Sequence, residues 1–309
     1  MKKAVMSAVL LLGMMATGAE AATRVYVTLS RSETFIDGIR NSLTAEDARD
    51  SDVELTIDLA NNDRATQQRQ VDEAIKAKYD AIIILSVDNE AGQHAFDAAK
   101  KAGVPLVFVN TPPPIADVRG KVSIVACNDI VAGRLQMRLL SGAMNNAGNV
   151  VVIRGTDGHA ASDDRSSGIK EILATRPNVK LAAEASAHWS RDEAEQLVLG
   201  WLDQGIQIDA IAANSDEMAL GAVTALRKRG IPAGKVFVGG TDGTANGLNG
   251  VKSGDLSVTL LQNTGSMAKA ALNSAKTMAT GGYAQQYEWV PYEILLPTTV
   301  DRYATAQAK

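Results

Sequence analysis

One cysteine, Cys127, stands alone among 309 residues, so no intramolecular disulfide can form. Stability has to come from packed cores. Aromatic residues make up only 4% of the chain, so each can be weighed separately. The three histidines, His94, His159 and His188, do not pair at metal-ligand spacing with one another or with Cys127. The chain has no His-Glu-x-x-His zinc signature, no Gly-x-Ser-x-Gly elbow, no P-loop and no Gly-x-Gly-x-x-Gly. The glycine-rich run GGTDGTANGLNG at 239–250 lacks the lysine and spacing of a phosphate cradle and is expected to be a loop. The net charge is −4, with signs mixed along the chain. A nucleic-acid binder would show a basic patch instead. After the first residues, no apolar run is long enough to span a bilayer.

The start of the chain reads as an export signal. Lys2 and Lys3 supply positive charge, residues 4–15 are almost wholly apolar, and Ala19-Glu20-Ala21 offers small residues where a signal peptidase reads. Cleavage is expected before Ala22, which places the mature protein in the periplasm. No cysteine near that point could carry a lipid anchor.

Short apolar runs alternate with helical patterns along the rest. Strands are expected at 24–29, 53–58, 81–85, 106–109, 122–125, 150–153, 181–184, 210–213 and 236–239. Several are apolar throughout, as in strands covered on both faces by helices. Helices are expected between them. In 65–78, Val71, Ala74, Ile75 and Lys78 share one face, and Met218, Val223 and Leu226 belong to another amphipathic stretch. The alternation implies an α/β doubly wound fold with parallel sheets.

An internal echo suggests two units of one architecture. Tyr79-Asp80-Ala81-Ile82 opens a strand followed by Ser86, Asp88, a helix, Gly103-Val104-Pro105 and Asn110. Ile208-Asp209-Ala210-Ile211 opens another, followed by Ser215, Asp216, a helix, Gly230-Ile231-Pro232 and Asp242. In open α/β sheets ligands sit beyond the carboxyl ends of the strands, where Asn110, Ser215 and Asp242 would lie.

Several segments resemble periplasmic sugar-binding proteins of the ribose and glucose/galactose type, over essentially the whole length. They are TRVYVT at 23–28 with Phe35 and Arg40, GVPLVFVN at 103–110, and GHAASDDR with His159 and Arg165 six apart. ASAHWS with Trp189, ANSDEMALGA at 213–222, VGGTDG with Asp242 and LLQN with Gln262 complete the set. The resemblance implies two doubly wound lobes joined by a three-strand hinge, with the ligand in the cleft between them. The N-terminal lobe would comprise 22–127 with 262–290, and the C-terminal lobe 128–261 with 291–309. It implies a ligand site of Glu33, Phe35, Asn110, His159, Arg165, Trp189, Ser215, Asp242 and Gln262. The partners would be a small sugar or polyol, the membrane permease of an ABC importer, and a chemoreceptor as a further possibility. No cofactor is expected.

These residue types suit that chemistry. Planar polar side chains can each engage two neighbouring hydroxyls, and an aromatic ring can cover the apolar face of a sugar. Asp216 serves equally as a helix N-cap, so Ser215 is taken for the ligand. Trp201 reads as core, His188 as a surface neighbour of Trp189, and Cys127 as a buried, inert thiol. The chain departs from the glucose/galactose pattern at Glu33, Ala161, Ser215 and Gln262. The stretch SGAMNNAG at 141–148 lacks the carboxylates of a calcium loop. An exported sugar-active enzyme is the alternative function. A repressor of the same fold would need an N-terminal helix-turn-helix where this chain has a signal.

Overall fold

The computed structural model describes residues 22–115, 118–301 and 303; the expected signal at 1–21 lies outside them. The first unit runs β1 (Thr23–Leu29), α1 (Thr34–Asp47), β2 (Val53–Leu59), α2 (Arg64–Lys76), β3 (Ala81–Leu85), α3 (Asn89–Ala102), β4 (Leu106–Val109) and β5 (Val122–Ala126). The second runs α4 (Asp129–Ala143), β6 (Gly148–Arg154), α5 (Ala160–Ala174), β7 (Val179–Ser186), α6 (Arg191–Asp203), β8 (Ala210–Ala213), α7 (Asp216–Lys228) and β9 (Phe237–Gly239). Then come α8 (Ala245–Lys252), β10 (Thr259–Leu261), α9 (Thr264–Ala279), β11 (Tyr287–Trp289) and β12 (Glu293–Leu295).

Two parallel sheets result. One has the order β11-β5-β4-β3-β1-β2 and the other β7-β6-β8-β9. The nine expected strands all form. Apolar runs explain why both sheets are sandwiched by helices. In β3, Ile83 and Leu85 face Ile39, Leu43 and Met267 of α1 and α9. Ile82 and Ile84 face Val71, Ala95 and Phe96 of α2 and α3. In β6, Val151 and Ile153 join Val198, Trp201 and Met218, whereas Val150 and Val152 join Met137, Leu140 and Ile169. Each such Val, Leu, Ile, Phe or Met side chain contributes about 1.5–3 kcal/mol on burial.

The sequence echo has a geometric counterpart. Asp80 accepts a hydrogen bond from the Arg24 amide at 2.8 Å, tying β3 to its neighbour β1. Asp209 accepts from the Asn149 amide at 2.7 Å, tying β8 to its neighbour β6. The same device opens the same strand in each sheet.

The chain changes sheets late in its course. β10 continues the second sheet through single bridges from Gly239 to Val258 and from Asp242 to Leu261. α9 then packs on α1 and on β3 to β5. β11 pairs parallel with β5, and β12 returns to pair antiparallel with β10.

Two local expectations need correction. The run at 239–250 is only partly a loop, because α8 begins at Ala245, capped by the Thr244 hydroxyl accepting from the Gly247 amide. Leu248 and Val251 anchor it in the second core. The helix expected over 65–78 stops at Lys76, and Lys78 takes a left-handed φ of 59°.

Candidate functional site

The carboxyl ends of the strands converge on a cleft of about 180 Å³. From the six-stranded sheet come Ser30 after β1, Ser86 after β3 and Asn110 after β4, together with Glu33 and Phe35 at the start of α1. From the four-stranded sheet's side come His159 just before α5, Arg165 on α5, Trp189 after β7, Ser215 after β8 and Asp242 after β9. Gln262 joins them from the segment between β10 and α9. All nine residues expected from sequence line this one cleft.

Arg165 organises the floor. Its guanidinium is almost fully buried, donating through Nε to Asp129 Oδ1 at 2.7 Å and through Nη1 to Asp242 Oδ1 at 3.2 Å. Nη1 also donates to the Asn214 carbonyl at 2.5 Å, and Nη2 to the Tyr292 hydroxyl at 3.2 Å. The Tyr292 hydroxyl donates to Asp129 Oδ1 at 2.6 Å. Close helix packing places these groups. A Cβ on Gly133 of α4 would overlap the Arg165 carbonyl, and one on Gly168 of α5 would overlap the Ile130 carbonyl. Only glycine lets α4 carry Asp129 this near to Arg165. The absence of a carboxylate at Ala161 is therefore met by Asp129, supplied by another helix.

Asp242 accepts from Gln262 Nε2 at 2.9 Å as well as from Arg165. Burial pushes its carboxyl well above the ordinary range, against the pull of Arg165. Its backbone takes a φ of 116°, and Asn110 just after β4 takes a φ of 71°, both outside the extended region of a strand.

Trp189 lies at one wall with φ 66°, its ring edge-on to His159 at 5.3 Å between centroids. A Cβ on Gly155 would overlap three indole carbons, so glycine is required for the ring to settle there. The indole also packs against the second core, and Arg165 sits 5.8 Å from its centroid. His159 holds no capping bond to α5, and its Nδ1 is enclosed without a protein partner. Burial, with the charges of Arg165 and Arg31, pushes its imidazole down to about 4.

Ser215 has two roles in view. It lines the cleft, and its hydroxyl is the N-cap of α7, accepting from the Met218 amide at 3.3 Å. Asp216, the other candidate cap, is instead wholly buried beneath the site. It accepts from the Thr244 amide at 2.8 Å, the Thr244 hydroxyl at 3.1 Å and the Thr259 hydroxyl at 2.5 Å. It thereby anchors the loop that carries Asp242.

Glu33 is held by Arg31 in a two-pronged pair, with Nε at 2.9 Å. Phe35 is 8% exposed and belongs both to the cleft wall and to the first core. Asn110 is buried, and its Oδ1 accepts from the Thr111 hydroxyl at 2.9 Å. His188 is exposed and pairs with Glu193. Burial raises the Cys127 thiol to about 12, which keeps it protonated and inert.

Sequence reasoning missed Ser30, Arg31, Ser86, Thr111, Glu217 and Thr244 in the lining. The first and third directly follow apolar strands, and the strand-end rule that found Asn110 would have found them. Asp129 and Tyr292 carried no such signal, since only packing brings them to Arg165. Among the described residues, no group of three or more His, Cys, Asp or Glu could hold a metal ion.

Comparison with known proteins agrees with this fold. A model of the periplasmic binding protein domain matches residues 25–282. A xylitol-binding protein of Mycolicibacterium smegmatis is 35% identical over 259 residues, 84% of this chain and 72% of the relative. A protein of Rhizobium meliloti described as rhizopine-binding is 35% identical over 246 residues, 79% of this chain and 80% of the relative. The solved structure of an ABC transporter solute-binding protein from Bacillus halodurans, with bound myo-inositol, has a TM-score of 0.85 and 30% identity, covering 94% of this chain and 99% of that one. The chain belongs to the periplasmic binding protein family and has its two-lobed type I fold.

Proposed function

We propose that this protein is a periplasmic receptor for a monosaccharide or related polyol, which it delivers to the permease of an ABC importer by closing its cleft. One observation carries the reading. Beside the Arg165–Asp242–Gln262 floor, four cleft-lining residues carry a buried polar atom without a protein partner: the Ser30 and Ser86 hydroxyls, His159 Nδ1 and Gln262 Oε1. A buried polar atom left unpaired costs about 1–3 kcal/mol. Hydroxyl groups, which both donate and accept, can meet all four. The Trp189 indole offers an apolar wall to the C–H face of the same ligand.

The relatives support a polyhydroxylated ligand, since their own ligands include xylitol and myo-inositol. The carboxylates support binding rather than catalysis. Glu33 Oε2 accepts from Arg31, and Asp242 Oδ1 accepts from Arg165 and Gln262, pairings that fix both groups as hydrogen-bond acceptors. The N-terminal export pattern supports the periplasm. For the lobes, we take 22–127 with 262–290 and 128–261 with 291–309. Their hinge is then the three passages at 127–128, 261–262 and 290–291, and closure is a rotation about them.

A thermal-shift screen against monosaccharides and linear and cyclic polyols tests the reading. A ligand at 100 times its dissociation constant stabilises by about 2.7 kcal/mol, a readily visible rise in melting temperature. A panel without any responding sugar or polyol would reject the assignment.

A further inference from the structure

A second cavity, of about 240 Å³, adjoins the first. The two share Ser86, Thr111 and His159 as a common wall. We propose that the cleft takes a ligand of two rings, a disaccharide or a glycosylated polyol, with the second ring seated in this adjoining cavity. The inference rests on the receptor reading above and enlarges its one-ring ligand by a second, linked ring.

The cavity is bounded by matched walls. On one side stand Asp88 and Glu90 at the start of α3, both paired with Arg64 of α2. On the other is the turn at 156–160 leading into α5. α3 is capped by Asp88, which accepts from the Ala91 amide. α5 has no side-chain cap, and Ala160 at its start lines the cavity. Ser86, only 9% exposed, and His159 Nδ1 add polar atoms without a protein partner at the junction. Polar groups therefore stand on both walls, Arg64, Asp88, Asn89 and Glu90 on one and Thr156, Asp157 and His159 on the other, as a ring of hydroxyls needs.

The lining excludes other substituents. Among the described lining residues, Asp88 and Glu90 are paired with Arg64, and Asp157 is paired with Arg154, so the walls offer no unpaired cation to a phosphate or carboxylate. An alkyl tail would strip water from these charges without replacing it. An uncharged hydroxylated ring avoids both costs.

Calorimetric titration with two pairs of probes tests this: myo-inositol against galactosyl-myo-inositol, and D-glucose against maltose. In at least one pair the two-ring member should bind about tenfold tighter or more, about 1.4 kcal/mol. Asn89→Trp, at an exposed position lining only the second cavity, should abolish that advantage and leave the one-ring affinity unchanged. One-ring members that bind as well as or better than their two-ring partners would overturn the inference while the receptor reading stands. An advantage that survives Asn89→Trp would also overturn it, placing the second ring elsewhere. Silence from both pairs and from the wider sugar panel would remove the receptor reading and this inference with it.

Discussion

Arg165 and Asp242 stand 77 residues apart in sequence and meet at 3.2 Å on the floor of the cleft. The contact is not a simple ion pair. Arg165 is held more closely by Asp129, at 2.7 Å, with Tyr292 bridging behind. The guanidinium is thus aimed before any ligand arrives, and Asp242 keeps acceptor capacity for hydroxyl donors.

That bridge can be tested without touching the cleft lining. Tyr292→Phe removes the hydroxyl that accepts from Arg165 and donates to Asp129. Affinity for the ligand should fall by about 1 kcal/mol, or roughly fivefold, as Arg165 loses one constraint. The melting temperature of the ligand-free protein should fall only slightly. Calorimetry and a thermal melt read the two effects separately.

Trp189 is tied to the fold more firmly than a cleft residue needs to be. Because its ring packs on Gly155 and on the second core, Trp189→Ala should weaken binding and also lower the melting temperature. Gly155→Ala makes the sharper test. Its added methyl displaces the indole, so affinity should fall although Trp189 itself is present. Unchanged binding in Gly155→Ala would show that the ring face is not used.

His159 and Asp216 pull stability in opposite directions over nearly one pH range. The folded His159 imidazole sits at about 4 against an ordinary 6.5, chiefly through burial. The unfolded chain therefore takes up that proton first, and stability is lost as pH falls from 6.5 toward 4. Burial raises Asp216 from 3.8 to about 7, so its contribution is greatest at low pH and is lost as pH rises through that interval. Asp216→Asn removes the second effect. The variant should show a steeper fall in melting temperature than the native protein between pH 6.5 and 4. Parallel profiles would contradict the assignment.

Chelation should leave both folding and binding untouched. The 141–148 segment has no carboxylate, and no metal-ligand cluster exists among the described residues. Melting curves with and without EDTA should overlay; a large drop would reveal a metal site.

Much of this architecture was legible because burial on both faces leaves a continuous apolar signature, as in Ala81–Leu85 and Ala210–Ala213. The strands β10, β11 and β12 were not legible. Each has three residues, too few to show any period, and each is formed by a distant partner. α8 was hidden because its glycines outweighed the cap at Thr244 and the spacing of Leu248 and Val251. At the site, residues ending apolar strands were readable, but Asp129 was not. It begins α4 and reaches Arg165 only because Gly133 and Gly168 let two helices touch.

The central claim is that Asp242, set between Arg165 and Gln262, binds hydroxyls of a neutral polyol. Asp242→Ala removes an acceptor from an enclosed cleft and leaves the bonded hydroxyls unpaired. Arg165 keeps Asp129, Asn214 and Tyr292, so the ligand-free melting temperature should change little. Calorimetric titration of native protein and variant, side by side, with the tightest polyol from the screen is the direct measurement. The predicted loss is about 2–4 kcal/mol, roughly 30- to 1000-fold in affinity. A difference below about threefold would make Asp242 a turn residue and place the ligand elsewhere.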